Sequence, residues 1–292
     1  MDRRVRVLAP AKVNLTLDVL GRRPDGYHEL ASVMATVDLR DDVRVATARD
    51  LEVAIRPDVG APRGEDLATR AVRALASAAG RAAAAHVVVR KRIPVAGGLG
   101  GGSSDAGAVL RALAALWGCE GLDLVALGAT IGSDVPFFAA GAPLARVGGR
   151  GEVVAPLRPP ADPPWIVLVT LPVRSSTREV FAALTEGERG DGAATRELAR
   201  LLSEGTASPR AMRELARNDL TSAAERVSPA VRDARAAARQ RGLDLVVSGS
   251  GPSLFAVADG RAHALRLARS LRRCGLHASP RALCISAPVV RH

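Results

Sequence analysis

The sequence predicts a mixed α and β chain folded as two lobes, and three observations predict it. Its 292 residues exceed what one hydrophobic core usually organises. Apolar residues recur at strand spacing in some stretches and at helix spacing in others. Five prolines crowd into 156–164, PLRPPADPP, where neither a helix nor a central strand can continue. The expected domains are therefore 1–158 and 165–292. With 48% hydrophobic and 24% charged residues, disorder is excluded, and with aromatics at only 2% the core must be filled by Ala, Val and Leu.

In chain order, period-2 alternation marks strands at Val5–Leu8, Val13–Val19, Val43–Ala46 and Leu51–Ile55, and residues 66–79 form an Ala-rich amphipathic helix. His86–Arg92 reads as a strand that runs into PVAGGLGGGSS. From Asp105 to Trp117 the spacing is helical, stopped by Gly118. A second helix covers about 122–130, GSDVPFF breaks it, and GAPLARVGGRGEVV reads as a hairpin. The second lobe opens with a strand at Trp165–Leu171 and a helix at about Thr177–Leu184, followed by a polar stretch at 186–194 expected to be a mobile loop. Pro229 and Gly242 frame a helix. Strands Leu243–Ser248 and Ser253–Ala258 flank SGSGP, and a helix at Arg261–Cys274 and a strand at Arg281–Ser286 close the chain.

A net charge of +11 raises the question of a nucleic-acid partner. The 39 arginines are dispersed, their runs are short and few aromatics interleave with them, so solvated helix faces are the better reading and no nucleic acid is expected. Cys119, Cys274 and Cys284 form neither a disulfide framework nor a zinc pattern, which fits a reducing, cytoplasmic compartment. No apolar run reaches membrane-spanning length, so no membrane partner is expected. Arginine outnumbers lysine 39 to 2, and only two asparagines and one tyrosine occur, as a GC-rich coding bias produces. A Lys, Asn or Tyr that persists against such a bias is needed where it stands. Both lysines, Asn14 and Tyr27 fall within the motifs that follow.

The stretch Pro94, Val95, Ala96, Gly97, Gly98, Leu99, Gly100, Gly101, Gly102, Ser103 and Ser104 enters a helix directly. Amides unobstructed by side chains there meet a positive helix terminus and make an anion cradle. Ser103 and Ser104 are placed to cap that helix, and a hydroxyl at Ser104 could reach a Mg²⁺ that bridges phosphates. A second glycine turn, with Gly249, Ser250 and Gly251, lets backbone approach a ligand between two apolar strands. Lys12 and Asn14 alternate with Val13 and Leu15, so they share one strand face. Asp134 is a candidate base, although an Asp ahead of Pro136 is more often a helix N-cap.

Three segments, APAKVNLTLDVLGRRPDGYHEL (9–30), KRIPVAGGLGGGSSDAG (91–107) and VSGSGPSLFAV (247–257), together resemble the GHMP small-molecule kinases, in that family's order. The resemblance implies a two-lobed α+β fold, with an N-terminal domain like ribosomal protein S5 domain 2 and a ferredoxin-like C-terminal domain. It also implies ATP and Mg²⁺ as cofactors and a small-molecule alcohol as substrate, in a monomer or homodimer. GYHEL, GLGGGSSDA and GSDVPFF point within the family to phosphorylation of the 2-hydroxyl of 4-(cytidine 5′-diphospho)-2-C-methyl-D-erythritol. The alternative is another alcohol: homoserine, mevalonate or a sugar. The family's catalytic pair falls on Lys12 and Asp134. Asp134 takes the hydroxyl proton, while Lys12 orients the hydroxyl and offsets negative charge. Asn14 holds the erythritol part, Tyr27, His28 and Phe181 the cytosine, and Pro94–Ser104 with Lys91 the ATP. One departure is Asp66, where the family often has an Asn beside the adenine; an Asp accepts from the adenine amino group but cannot donate.

Overall fold

An antiparallel pair of long strands, β1 (Arg4–Arg22) and β2 (His28–Thr47), frames the first lobe. The structure is a computed structural model and describes residues 4–58, 60, 64–286, 288 and 290–291. The two strands that alternation suggests, Val5–Leu8 and Val13–Val19, are one. The register shifts between Pro10 and Ala11, and this irregularity lets proline sit inside a strand. Periodicity misses most of β2 because residues 32–37 are buried on both faces and so do not alternate.

The rest of the lobe is β3 (Glu52–Arg56), α1 (Leu67–Ala78), β4 (Ala85–Arg90), α2 (Gly101–Trp117), α3 (Leu124–Ala129), α4 (Val135–Ala139), β5 (Leu144–Gly149) and β6 (Val153–Pro156). In the sheet β2 lies between β1 and β4, β3 runs parallel to β4, and β5 pairs with the opening half of β2. Helices α1 and α2 cover it through Val72, Leu75, Val109 and Leu113, packed on Val5, Val43 and Val87. Two expectations need correction here. Helix α2 starts at Gly101 rather than Asp105, so the glycines form its first turn. Gly100 is the N-cap, and neither Ser103 nor Ser104 caps.

The second lobe comprises β7 (Trp165–Val169), α5 (Thr177–Ala183), α6 (Ala193–Ser203), α7 (Pro209–Leu215), β8 (Arg217–Asn218), α8 (Thr221–Val227), α9 (Pro229–Arg239), β9 (Val246–Val247), β10 (Leu254–Ala258), α10 (Arg261–Arg272), β11 (Ala278–Ala282) and β12 (Val290–Arg291). Its sheet is antiparallel in the order β11-β7-β10-β9. The last strand of this sheet is Ala278–Ala282 rather than Arg281–Ser286; it is an edge strand, where Pro280 costs no ladder bond on its open side. The strand expected over Leu243–Ser248 shortens to Val246–Val247. The polar stretch 186–194 contains a 3₁₀ turn at Glu186–Glu188 and the start of α6, and the Gly190 amide donates to Asp219 Oδ2 at 2.7 Å.

The lobes are not separate bodies, since β8 pairs parallel with β1 and β12 pairs antiparallel with it. One apolar cluster also spans both sheets, bringing Ala11, Val13 and Leu15 against Ile166, Leu168 and Phe255. The site is built on the face of β1 opposite these three residues.

Candidate active site

Because Val13 and Leu15 are fixed in that cluster, Lys12 and Asn14 point the other way, into a cleft of about 1380 Å³. Lys12 Nζ donates to Asn14 Oδ1 at 2.7 Å and lies 3.4 Å from Asp134 Oδ2. Asn14 Nδ2 donates to Ser32 Oγ at 2.9 Å, and Ser32 in turn to the Thr16 carbonyl, so the rotamer of Asn14 is set by β2. Lys12 is 3% exposed and the Asp134 side chain 37%, so the ammonium is held in protein while the carboxylate opens to the cleft. Asp134 occupies the N-cap position of α4, yet its side chain accepts no helix amide. The carboxylate is therefore directed at Lys12 rather than at its own helix.

The glycine loop packs directly against this pair. The Lys12 amide donates to Leu99 O at 3.0 Å. Gly98 has φ +73°, and a Cβ there would stand 2.2 Å from Ser248 O. Gly100 has φ +68°, and its Cβ would press on Lys12 and Phe138 at 3.0 Å. Only glycine fits either place. The second turn closes the other side, with Gly249 N donating to Asn14 Oδ1 at 3.0 Å and Ser248 Oγ to Gly98 O at 3.0 Å. Ala96 holds φ +55° in the same loop, a strained conformation outside glycine of the kind that clusters at ligand sites. Since α2 begins without a side-chain cap, its first amides are left to a ligand. Pro94–Gly98, Gly100–Ser103, Gly249 and Ser250 line the cleft. Leu99 turns its side chain into the core, and Ser104 and Gly251 stand behind the lining.

Lys91 is less available than the sequence suggests. Its ammonium donates to Asp41 at 2.5 Å and Asp105 at 2.6 Å, all three nearly buried. Asp41 also accepts from Arg92 N and Ile93 N, so the triad ties the strand entering the glycine loop to the helix leaving it. Burial pulls the Lys91 pKa down, but the two carboxylates outweigh it and hold the ammonium above its ordinary value. Burial pushes the Asp105 carboxyl up to about 8, Lys91 opposing and Asp41 adding to the rise. The triad is therefore close to neutral with Asp105 protonated. Asp105 Oδ1, the oxygen left for that proton, has no partner, and neither has the buried Ser104 Oγ. Asp66 is not free to meet a base either: its carboxylate caps α1, accepting from Thr69 N at 2.8 Å and Thr69 Oγ1 at 2.7 Å.

At the far end of the cleft the His28 and Phe181 rings stack, with centroids 4.9 Å apart, and Tyr27 stands 53% exposed beside them. Burial first, then Arg189 and Arg22, hold the His28 pKa below its ordinary value, which keeps the imidazole neutral at pH 7. Sequence reasoning missed the arginines at this end. Arg150 lies over the Tyr27 ring at 4.8 Å, and Arg22, Arg178 and Arg189 also line the cleft. With 39 arginines in the chain, composition gives no way to single out these four. Among the described residues, no helix is long and apolar enough to cross a membrane, and no cluster of three or more His, Cys, Asp or Glu is arranged to hold a metal.

Known proteins resemble this chain in sequence and fold. The GHMP kinases N terminal domain family matches residues 66–142, and the GHMP kinases C terminal family matches residues 189–276. A 4-diphosphocytidyl-2-C-methyl-D-erythritol kinase of Symbiobacterium thermophilum is 42% identical over 90% of this chain and 93% of its own. That of Brevibacillus brevis is 38% identical over 92% of each. A crystal structure of 4-(cytidine 5′-diphospho)-2C-methyl-D-erythritol kinase superposes with a TM-score of 0.76 at 38% identity, covering 97% of this chain and 99% of that one. Homoserine kinase from Cytophaga hutchinsonii, at 18% identity and a TM-score of 0.71, shares the fold. The two-lobed α+β kinase architecture expected from the sequence is thus the one observed, and the chain is a kinase that belongs to the GHMP superfamily and, within it, to the 4-diphosphocytidyl-2-C-methyl-D-erythritol kinase family.

Proposed function

We propose that the chain transfers the γ-phosphoryl group of ATP to the 2-hydroxyl of 4-(cytidine 5′-diphospho)-2-C-methyl-D-erythritol, a cytoplasmic step of the non-mevalonate isoprenoid pathway. The observation that carries this reading is one cleft holding a Lys12–Asp134 pair at 3.4 Å, a glycine loop against it and a Tyr27–His28–Phe181 group at its far end. The Symbiobacterium and Brevibacillus relatives and the solved structure at 38% identity are named as kinases of this alcohol.

In this reading Asp134 accepts the proton of the attacking hydroxyl, which strengthens the oxygen as a nucleophile toward the terminal phosphorus. Lys12 lies within reach of both the carboxylate and the incoming oxygen, and its charge offsets the negative charge that spreads over the transferring group. Asn14, held by Ser32, orients the erythritol hydroxyls. The amides of the glycine loop and the free first turn of α2 hold the phosphates of ATP. The adenine lies toward Ile55, Leu67 and Ala68, and Asp66 supports it only indirectly, by capping α1. Ser104 Oγ is buried without a partner behind the cleft lining and would have to turn toward the phosphates to help hold a Mg²⁺, which would supply further charge neutralisation there. Neutral His28 offers the cytosine edge one donor and one acceptor, and Tyr27 and Phe181 offer ring faces.

The test is coupled ADP release with Mg-ATP and, in turn, the cytidyl compound, homoserine, mevalonate and galactose. Turnover confined to the cytidyl compound is the expected result. Turnover of another alcohol instead would retain Lys12 and Asp134 and remove Tyr27, His28 and Phe181 from the substrate site.

A further inference from the structure

The cytidyl end of the cleft carries a surplus of positive charge that the stacking of a neutral base does not require. Among the described residues, Arg22, Arg150 and Arg178 meet no carboxylate within ion-pair distance, and the one ion pair of Arg189 is with Glu186 at 3.8 Å. Of the acids that line the cleft, Asp25 is occupied by Arg23 and the Tyr27 amide.

Two of these arginines are fixed at a particular place. Arg150 sits in the turn between β5 and β6, and that turn presses on the residue before Asp134, since a Cβ at Gly151 would stand 2.0 Å from Ser133 O. Its guanidinium reaches the other way, over Tyr27. Arg150 therefore bridges the distance between the reacting end and the base end. Arg189 comes from the second lobe. Its neighbour Gly190 is clamped between carboxylates, where a Cβ would be 2.7 Å from both Asp18 Oδ1 and Asp219 Oδ2. Arg189 Nε is buried without a hydrogen-bond partner, and the guanidinium is close enough to His28 to depress its pKa.

Resting on the cytidyl reading given above, we infer that Arg150 and Arg189 form a two-sided clamp for the diphosphate that joins the nucleoside to the alcohol. In that substrate the diphosphate must lie between a base at Tyr27 and a hydroxyl at Asp134, which is the span that Arg150 covers. Its guanidinium now rests on the ring face that the base needs. Substrate binding therefore displaces it from Tyr27 onto the phosphates, and Arg189 closes from the other lip with its planar fork. The clamp selects an alcohol carried on a nucleoside diphosphate over the same alcohol alone.

The experiment measures the dissociation constants of cytidine and of cytidine diphosphate by calorimetry for the wild type, Arg150→Met, Arg189→Met and the double variant, with the KM for ATP as a control for folding. A charge-assisted hydrogen bond is worth about ten- to hundredfold in affinity. The wild type should thus prefer the diphosphate by at least about tenfold. Each single variant should lose most of that preference and the double variant nearly all of it, with the KM for ATP within about twofold. Arg150→Met should bind cytidine itself as well as the wild type or better, because the Tyr27 face is vacated. Arg189→Lys should keep part of the preference. A double variant with the wild-type preference overturns the clamp and leaves the cytidyl reading standing. Failure of cytidine to bind the wild type at all overturns both.

Discussion

Asp134 and Lys12 are three ångströms apart in space and more than a hundred positions apart in sequence, and their contributions separate by substitution. Asp134→Asn keeps the size of the side chain and removes the proposed base, so kcat should fall by about 10²–10⁴ with both KM values nearly unchanged, as steady-state kinetics will show. A near-normal kcat would remove Asp134 from the chemistry. His28 gives a pH signature. Its pKa lies below the ordinary 6.5 through burial and the nearby Arg189 and Arg22, so it takes up its proton in more acid solution than a free imidazole does. KM for the cytidyl substrate should therefore rise as the solution is made acid, at a lower pH than an unperturbed histidine would give. Arg189→Met should move the rise toward higher pH. The sign for stability follows from the same shift: below about 6.5 the unfolded chain takes a proton that folded His28 refuses, so this residue costs stability as pH falls. Of these residues, Lys12, Asn14, Tyr27 and Asp134 were legible in the sequence, because a rare residue type or a motif marks each. Arg150 and Arg189 were not, because an arginine in an arginine-rich chain carries no such mark.

Among the elements, the loop from Ile93 to α2 depends on what holds its two ends. The Asp41–Lys91–Asp105 triad joins them, and it is nearly buried. Lys91→Met leaves the buried Asp41 carboxylate, beside the protonated Asp105, without a cation and should cost about 3–5 kcal/mol in urea unfolding. Asp105→Asn resembles the protonated acid already present and should cost no more than about 1 kcal/mol. If the two variants proved equally destabilised, the triad would not be the neutral unit described. Gly98→Ala should be worse tolerated than any other single-methyl addition to the loop, because its Cβ meets a backbone carbonyl at 2.2 Å and φ is +73°. The sequence predicted a cradle here, and the loop and helix are where it put them. It misplaced the helix start because glycine and serine are weak helix formers, and their conformation is imposed here by Ile93, Lys91 and Phe138 packed around them. Strand β2 was similarly hidden, since a strand buried on both faces has no alternation to read.

For the whole molecule, the net charge of +11 becomes meaningful only through where it is concentrated. Arg22, Arg150 and Arg178, which meet no carboxylate among the described residues, line a cleft whose ligands, in the proposed reaction, are both anionic. The field should steer these ligands inward, so kcat/KM for either substrate should fall by about threefold or more between low salt and 0.5 M salt, where the screening length contracts to a few ångströms. A kcat/KM indifferent to salt would show that the charge is merely a solvated surface. The lobes are joined by β8, β12 and a shared apolar cluster, so the cleft has walls from both halves of the chain. Asn218 is one of the joints. It donates to Val247 O and Gly249 O and accepts from Leu220 N, so it supports the second glycine turn as well as the start of α8.

What the sequence by itself determined is the class of machine: a two-lobed mixed α and β fold, a glycine-rich loop entering a helix, a polar strand face, and motifs whose order and spacing mark a GHMP kinase. Each of these is a local pattern, set by backbone periodicity, by the conformational needs of glycine and proline, or by residue rarity. Only the tertiary structure decided that Asp134 faces Lys12 instead of capping its own helix, that Lys91 and Asp66 are already engaged, and that two arginines distant in sequence line one cleft. Those outcomes depend on which charges lie within a few ångströms after the chain closes on itself, and in a chain with 41 basic and 30 acidic side chains spacing along the sequence does not specify the pairing.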